Sequence, residues 1–226
     1  MGALTEELPK PMLPIAGKPI LEHVLERLGT AGFSDILIVT GFRAEMVEDH
    51  FRAYPLKLTF VRQPAINGTG AAALLAKDFA GEAPFLFTFG DILVGAADYE
   101  GIYDGLLQDP DAQGGVGVKW VDDPWPGAAV YEEGGRVTRI VEKPAPGTST
   151  THWNSAGLYS FRPAIFDELA RIPLSPRGEY ELPSAMAQLL HAGRKLLLYP
   201  IRGAWRDIGR PEDIAIAEKL LLNQQV

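Results

Sequence analysis

Between Lys18 and Gly32 the apolar positions Ile20, Val24 and Leu28 recur every four residues, with Leu21 and Leu25 beside them. That repeat predicts a helix with one buried stripe. Pro19 suits its first turn, and Gly29 or Gly32 its end. Asp35–Gly41 (DILIVTG) is apolar almost throughout and stops at glycine, the pattern of a strand buried on both faces of a parallel sheet. The same rhythm predicts a helix over Arg43–Phe51, a strand over Lys57–Gln63, a helix over Thr69–Phe79, a strand over Pro84–Asp91 and a helix over Asp98–Leu107. After Gly114 it changes. Gly115–Asp122 reads as a strand, and Ala128–Glu132 and Val137–Glu142 read as a hairpin about Gly134–Gly135. Leu158–Phe161 and Lys195–Ile201 read as further strands, while Pro163–Ala170, Leu182–Ala192 and a last segment from Pro211 read as helices.

Strand and helix alternating in this way predict an α/β protein with a mostly parallel, doubly wound sheet and a β-rich insertion in its second half. No fixed-period repeat interrupts the pattern, hexapeptide repeats included. The chain has 226 residues, 46% of them hydrophobic, enough for one substantial core. Its 21 Lys and Arg against 29 Asp and Glu give a formal net charge of −8. That balance argues against a general binder of nucleic acid or anionic membranes, which needs a broad positive field. A polyanionic ligand must be held locally, by a few cations, backbone N–H groups or a metal bridged by carboxylates. The chain has no cysteine, which excludes thiol catalysis and Cys-based zinc sites. Its four histidines (23, 50, 152, 191) form no H-E-x-x-H pattern. The apolar runs are too short to span a bilayer and the N-terminus lacks a signal-peptide pattern, so a soluble, cytoplasmic protein is expected.

In open α/β sheets ligands sit at the carboxyl ends of strands. Three such ends carry chemistry: Gly90–Asp91, Glu142–Lys143–Pro144, and Arg206–Asp207–Ile208–Gly209. Asp91 and Asp207 converging at one sheet edge would form a hard oxygen site for Mg²⁺; each alone also fits a turn or a helix cap. Asn67–Gly68–Thr69–Gly70 opens a helix where backbone N–H groups can approach a base or phosphate, or where the chain simply turns. Lys10 lies among prolines that could aim its ammonium at an anion, and Lys143 shares the Lys-Pro context beside Glu142. His152, Trp153 and Trp205 could line a sugar pocket or simply pack.

Together these stretches resemble the sugar-1-phosphate nucleotidyltransferase family, the nucleoside-diphosphate-sugar pyrophosphorylases. The resemblance is carried by Leu4–Thr5, Pro9–Lys10–Pro11–Met12–Leu13–Pro14, Gly17–Lys18–Pro19, Gln63–Pro64 and Gly68–Thr69–Gly70. It continues through Gly90–Asp91, Val141–Glu142–Lys143–Pro144, Asn154–Tyr159, Gly178–Leu182, Trp205–Gly209 and Pro211–Glu212–Asp213. It implies a Rossmann-like nucleotidyltransferase fold that joins an NTP to a sugar 1-phosphate, releasing pyrophosphate, with Mg²⁺. By this analogy Asp91 and Asp207 bind the metal, Lys10 faces the triphosphate and Lys143 the sugar phosphate. Gln63, Gly68, Thr69 and Gly90 fall where the family contacts the nucleotide. Glu142, Asn154 and Gly157 fall where it contacts the sugar. Residues 1–110 would form the nucleotide-binding half of a single domain, 111–210 the sugar-phosphate-binding half and 211–226 a C-terminal helix. Gln63–Pro64 leans toward UTP or dTTP.

The family begins with an apolar strand and a glycine-rich loop, whereas only Met1–Gly2–Ala3 precedes Leu4–Thr5 here. A chain starting at Met1 is therefore expected to be weakened in catalysis, since one lost backbone donor can cost about 100- to 1000-fold in rate. Unpartnered strand edges would invite pairing with another chain, so a strand-exchanged homodimer is a further expectation. The alternative to an enzyme is a catalytically inactive subunit that binds a sugar nucleotide as a sensor or regulator.

Overall fold

The computed structural model describes residues 5–223; Leu4 of the Leu4–Thr5 pair and positions 224–226 lie outside them. In chain order the elements are β1 (Pro14–Ile15), β2 (Lys18–Pro19), α1 (Ile20–Thr30), β3 (Asp35–Thr40), α2 (Ala44–Phe51), β4 (Lys57–Arg62), α3 (Thr69–Leu74), α4 (Lys77–Ala80), β5 (Phe85–Thr88) and β6 (Ile92–Val94). They continue with α5 (Ala96–Gln108), β7 (Ala112–Trp120), β8 (Ala128–Glu133), β9 (Arg136–Glu142), β10 (Trp153–Phe161), α6 (Ala164–Leu169), α7 (Leu182–His191), β11 (Lys195–Pro200), β12 (Trp205–Asp207) and α8 (Pro211–Asn223). The chain forms two compact units, one of residues 1–64, 88–100 and 202–226, the other of residues 65–87 and 101–201.

In the first unit, β1 and β2 make a small hairpin whose turn residues Ala16 and Gly17 both take positive φ, 49° and 82°. Such a turn matches the twist of paired strands. α1 follows at once and buries Ile20, Leu21, Val24, Leu25 and Leu28 as its spacing predicts. Leu21 and Leu25 join Met12, Val47 and Phe51 in a core against which Ile36, Ile38, Leu58 and Phe60 pack in part. β3 pairs with β4 in parallel, from Asp35 opposite Lys57 to Thr40 opposite Arg62. Among the described residues β4 is the only ladder partner of β3. Ile36–Val39 are consequently half-buried, so the expectation of a strand covered on both faces is corrected. In the same unit β6 pairs antiparallel with β12, and the carboxylate of Asp98 accepts the N–H groups of Arg202 and Gly203, each at 2.9 Å.

The second unit contains a six-stranded sheet in the order β5-β10-β7-β11-β9-β8. β11 runs parallel to β7, whereas β7–β10, β8–β9, β9–β11 and β8–β10 are antiparallel. The fold is α/β as expected. Its sheet is mixed rather than mostly parallel, because the hairpin-forming second half supplies antiparallel neighbours. Gly134 and Gly135, at φ 57° and 79°, make the tight turn between β8 and β9. β10 carries an irregularity between Ser155 and Tyr159, with Gly157 at φ 70°; a bulge of this kind re-aims the side chains beside it. The single helix expected over Thr69–Phe79 is two short ones, α3 and α4, parted at Leu75–Ala76. Among the described residues no helix is long and apolar enough to cross a membrane.

Candidate functional site

Lys10 begins a one-turn 3₁₀ segment, Lys10–Met12, between Pro9 and Pro11, whose rings restrict the backbone on either side. Its ammonium lies 2.5 Å from Asp91 Oδ2 and 3.6 Å from Asp207 Oδ1. The β6–β12 ladder explains how two aspartates so distant in sequence meet. Asp207 stands opposite Ile92, next in chain to Asp91, and the Ile208 N–H donates to the Asp91 carbonyl at 3.1 Å. Burial pushes the Asp207 carboxyl up; Lys10 opposes that, and Asp91 adds to it. The three groups thus form a small acidic pair already holding one cation. Gly90 precedes them, and a Cβ there would meet Leu21 at an ordinary 3.4 Å, so packing does not demand the glycine. Gln63 follows β4 in the same unit and donates its N–H to the Thr40 carbonyl at 2.7 Å.

Two carboxylates around one cation are a donor set that suits Mg²⁺, which prefers oxygen ligands and usually keeps waters and substrate phosphates for its other positions. The position of the Lys10 ammonium marks where positive charge is favoured. Among the described residues no group of three or more His, Asp or Glu gathers into a ready-made metal cage. A site completed by substrate phosphates does not require one.

The second unit holds the remaining residues. Glu142 ends β9 opposite Ala128, and Asn154, near the start of β10, is opposite Ala129 on the same strand β8. The ladders therefore set Glu142 and Asn154 on either side of the start of β8. Lys143 adopts φ 42°, in the left-handed region, directly before Pro144, and its N–H donates to the Gly127 carbonyl at 2.7 Å. A non-glycine residue in that conformation stores strain, which functional sites tend to retain. Asn154 Nδ2 donates to the Ser155 carbonyl at 2.8 Å, while its buried Oδ1 has no hydrogen-bond partner. Burial pushes Glu142 up, with the Arg177 guanidinium pulling it back and Glu181 reinforcing the rise. Tyr159, bonded to Ser155 Oγ at 2.7 Å, is pushed up to about 12 by burial.

Gly68 and Thr69 have a visible structural task. Gly68 sits at φ 117°, and a Cβ there would collide with the backbone of Tyr180. Gly70 donates its N–H to the Tyr180 carbonyl at 2.7 Å, and Thr69 Oγ1 accepts from the Leu182 N–H at 3.1 Å. The glycine-rich turn is thus clamped to the loop before α7. His152 stacks on Trp120 with ring centroids 4.6 Å apart, and Trp153 meets Trp120 edge-on at 5.1 Å. Trp205 belongs to β12 in the other unit.

Three residues escaped the reading of the sequence. Arg177 pairs with Glu142 at 3.2 Å and with Glu181 at 2.9 Å. Gly127 leaves room where a Cβ would collide with the Asn154 carboxamide. Asp98 anchors the loop that leads into β12 and so to Asp207. Only Arg177 had a signal nearby, in the acidic run Gly178–Leu182 that follows it.

Fold and site together define an α/β protein of nucleotidyltransferase architecture. The profile of the nucleotidyl transferase family matches residues 2–224, and the chain belongs to that family. It is 36% identical over 222 residues to the bifunctional protein GlmU of Methanocaldococcus jannaschii, a match covering 98% of this chain and 51% of the relative. The chain thus spans about half the length of that relative. It is 33% identical to the UTP–glucose-1-phosphate uridylyltransferase AglF of Haloferax volcanii, over 96% of this chain and 90% of AglF. The crystal structure of a UDP-glucose pyrophosphorylase complexed with UDP-glucose shares the fold with a TM-score of 0.85 at 22% identity, covering 99% of this chain and 94% of that one.

Proposed function

We propose that the protein condenses an NTP, UTP or dTTP by preference, with a sugar 1-phosphate to give an NDP-sugar and pyrophosphate. The observation that carries this reading is the Lys10 ammonium held between the carboxylates of Asp91 and Asp207. A sugar-phosphate oxygen attacks the α-phosphorus in line, the new P–O bond forms, and pyrophosphate leaves with the electrons of the bond that breaks. Both reactants are anions, so the site must offset their repulsion. Lys10 supplies charge to the triphosphate and Lys143 to the sugar phosphate. Asp91 and Asp207 would hold Mg²⁺, which when bound neutralises charge on the phosphoryl oxygens. No covalent enzyme intermediate is needed.

In this reading Glu142, Asn154 and Gly157 recognise the sugar. Gln63, Gly68, Thr69 and Gly90 receive the nucleotide. Residues 1–110 act as the nucleotide-binding half, 111–210 as the sugar-phosphate-binding half and 211–226 as a C-terminal helix. We place the protein in the cytoplasm, where these phosphorylated substrates are made, and assign it a homodimer in which strand edges pair between copies. Pyrophosphate release over a panel of NTPs and sugar 1-phosphates tests the activity. Turnover with UTP or dTTP is expected, and turnover with no pair would reject it. UDP-glucose binding without turnover would instead favour the inactive, sensing subunit.

A further inference from the structure

Arg177 lies in the loop before α7 and reaches three carboxylates. Its Nη2 is 2.9 Å from Glu181 Oε1, 3.2 Å from Glu142 Oε1 and 3.7 Å from Glu179 Oε2, while its Nε donates to Glu181 Oε1 at 3.1 Å. Glu181 is buried, 7% exposed. The backbone that carries Arg177 is held in place: Gly178 N–H bonds to the Ser175 carbonyl, Ser175 N–H to Glu179, and Tyr180 N–H to Asn67. A guanidinium with several N–H groups already committed to carboxylates, on a fixed loop, is poorly disposed to leave them for an incoming phosphate.

We propose that Arg177 is a positioning residue that ties Glu142 to Glu181 and thereby keeps Glu142 an ionised, fixed hydrogen-bond acceptor for a sugar hydroxyl. This rests on the reading of Glu142 as a sugar ligand given above. The chemistry follows from what a carboxyl can do in each state: ionised, it only accepts hydrogen bonds; protonated, it offers an O–H and can turn. Every charged or titratable group around Glu142 enters the balance. Burial and Glu181 favour its protonated form, and Arg177 and Lys143 favour the ionised one. Tyr159 on β10 also lies within electrostatic reach and is neutral at working pH. Without Arg177, two partly buried carboxylates face each other with one fewer counter-charge, and the group at the end of β9 takes up a proton at higher pH.

The test is a carbon NMR titration of the glutamate carboxyls in the ligand-free chain, with Glu142 assigned through Glu142→Gln. In Arg177→Gln the half-protonation pH of Glu142 is expected to rise by about one unit or more, the effect of an opposite charge at this range. Arg177→Lys should restore part of it, and Glu181→Gln, which leaves Arg177 to Glu142, should lower it. Calorimetry with UDP-glucose should show Arg177→Gln weakening binding more at pH 6 than at pH 8. An unchanged Glu142 midpoint in Arg177→Gln overturns the proposal, as does an equal loss of binding at both pH values. If Arg177→Gln does not fold, an unchanged midpoint in Glu181→Gln overturns it. A shifted midpoint with no UDP-glucose binding by any variant or the parent keeps the ionic bridge and rejects the sugar-ligand reading instead.

Discussion

Each candidate residue combines a local conformation with a charged neighbour, and its substitution tests that combination. Asp91→Asn and Asp207→Asn each remove one oxygen ligand from the pair around Lys10. Either should lower Mg²⁺-dependent turnover by at least about 100-fold, because a bound divalent ion supplies several kcal/mol of charge stabilisation. The far-ultraviolet circular dichroism should be unchanged, and near-parental rates in both variants would exclude the metal assignment. The Lys10 ammonium competes for the same carboxylates. Lys10→Met should therefore abolish turnover yet raise the affinity for Mn²⁺, read by water-proton relaxation in the absence of nucleotide; weaker or equal Mn²⁺ binding would contradict it. Glu142 has a raised pKa in the fold, with burial the first cause. Between the ordinary carboxylate range and that raised value the folded protein keeps a proton that the unfolded chain has released. Its stabilising contribution is thus present at low pH and is lost as pH rises through the window. The difference in Tm between Glu142→Gln and parent should therefore move in favour of the variant as pH rises from about 4 to 7, and a pH-independent difference would refute this.

At the scale of elements, periodicity made most of the strands and helices legible, because burying a stripe or an alternating face is a local demand on side chains. α1, α2, β3 and β4 lie within a residue or two of their expected bounds. The failures are just as local. Alanines and glycine between Thr69 and Ala80 carry too little side-chain information to mark the break at Leu75–Ala76, and β1, β2 and β6 are too short to show a period. At the glycine-rich turn, expected either to let a ligand approach or simply to turn the chain, the backbone of Tyr180 lies where a Cβ on Gly68 would fall. Gly68→Ala should accordingly destabilise the protein by roughly 1–3 kcal/mol from backbone conformation alone, with the collision added. Urea denaturation measures it, and a change below about 0.5 kcal/mol, ordinary for a surface substitution, would show the clamp to be dispensable.

For the whole molecule, the acidic balance and the absence of cysteine point to ligands held by a few local groups. A strand-paired homodimer would need a free strand edge. The Ser34 and Thr40 carbonyls accept from Lys57 and Gln63 on the β4 side, so the alternate backbone groups at Leu37 and Val39 face the opposite edge of β3, which has no ladder partner among the described residues. If copies pair there, hydrogen exchange at those two amides should slow as protein concentration rises, alongside a monomer–dimer transition in sedimentation equilibrium. Exchange independent of concentration would dismiss the strand-paired dimer. The family, the order of its motifs and the identity of Lys10, Asp91, Glu142, Lys143 and Asp207 as chemically able residues were determined by the amino-acid sequence alone, since composition, spacing and residue type are properties of the chain itself. Only the tertiary structure decided that Asp91 and Asp207 share one lysine, that Arg177 joins Glu142 to Glu181, and that Asn154 keeps an unanswered oxygen beside Gly127. Those outcomes depend on ladder register and on close approach between segments far apart in the chain, and no local pattern of side chains encodes either one.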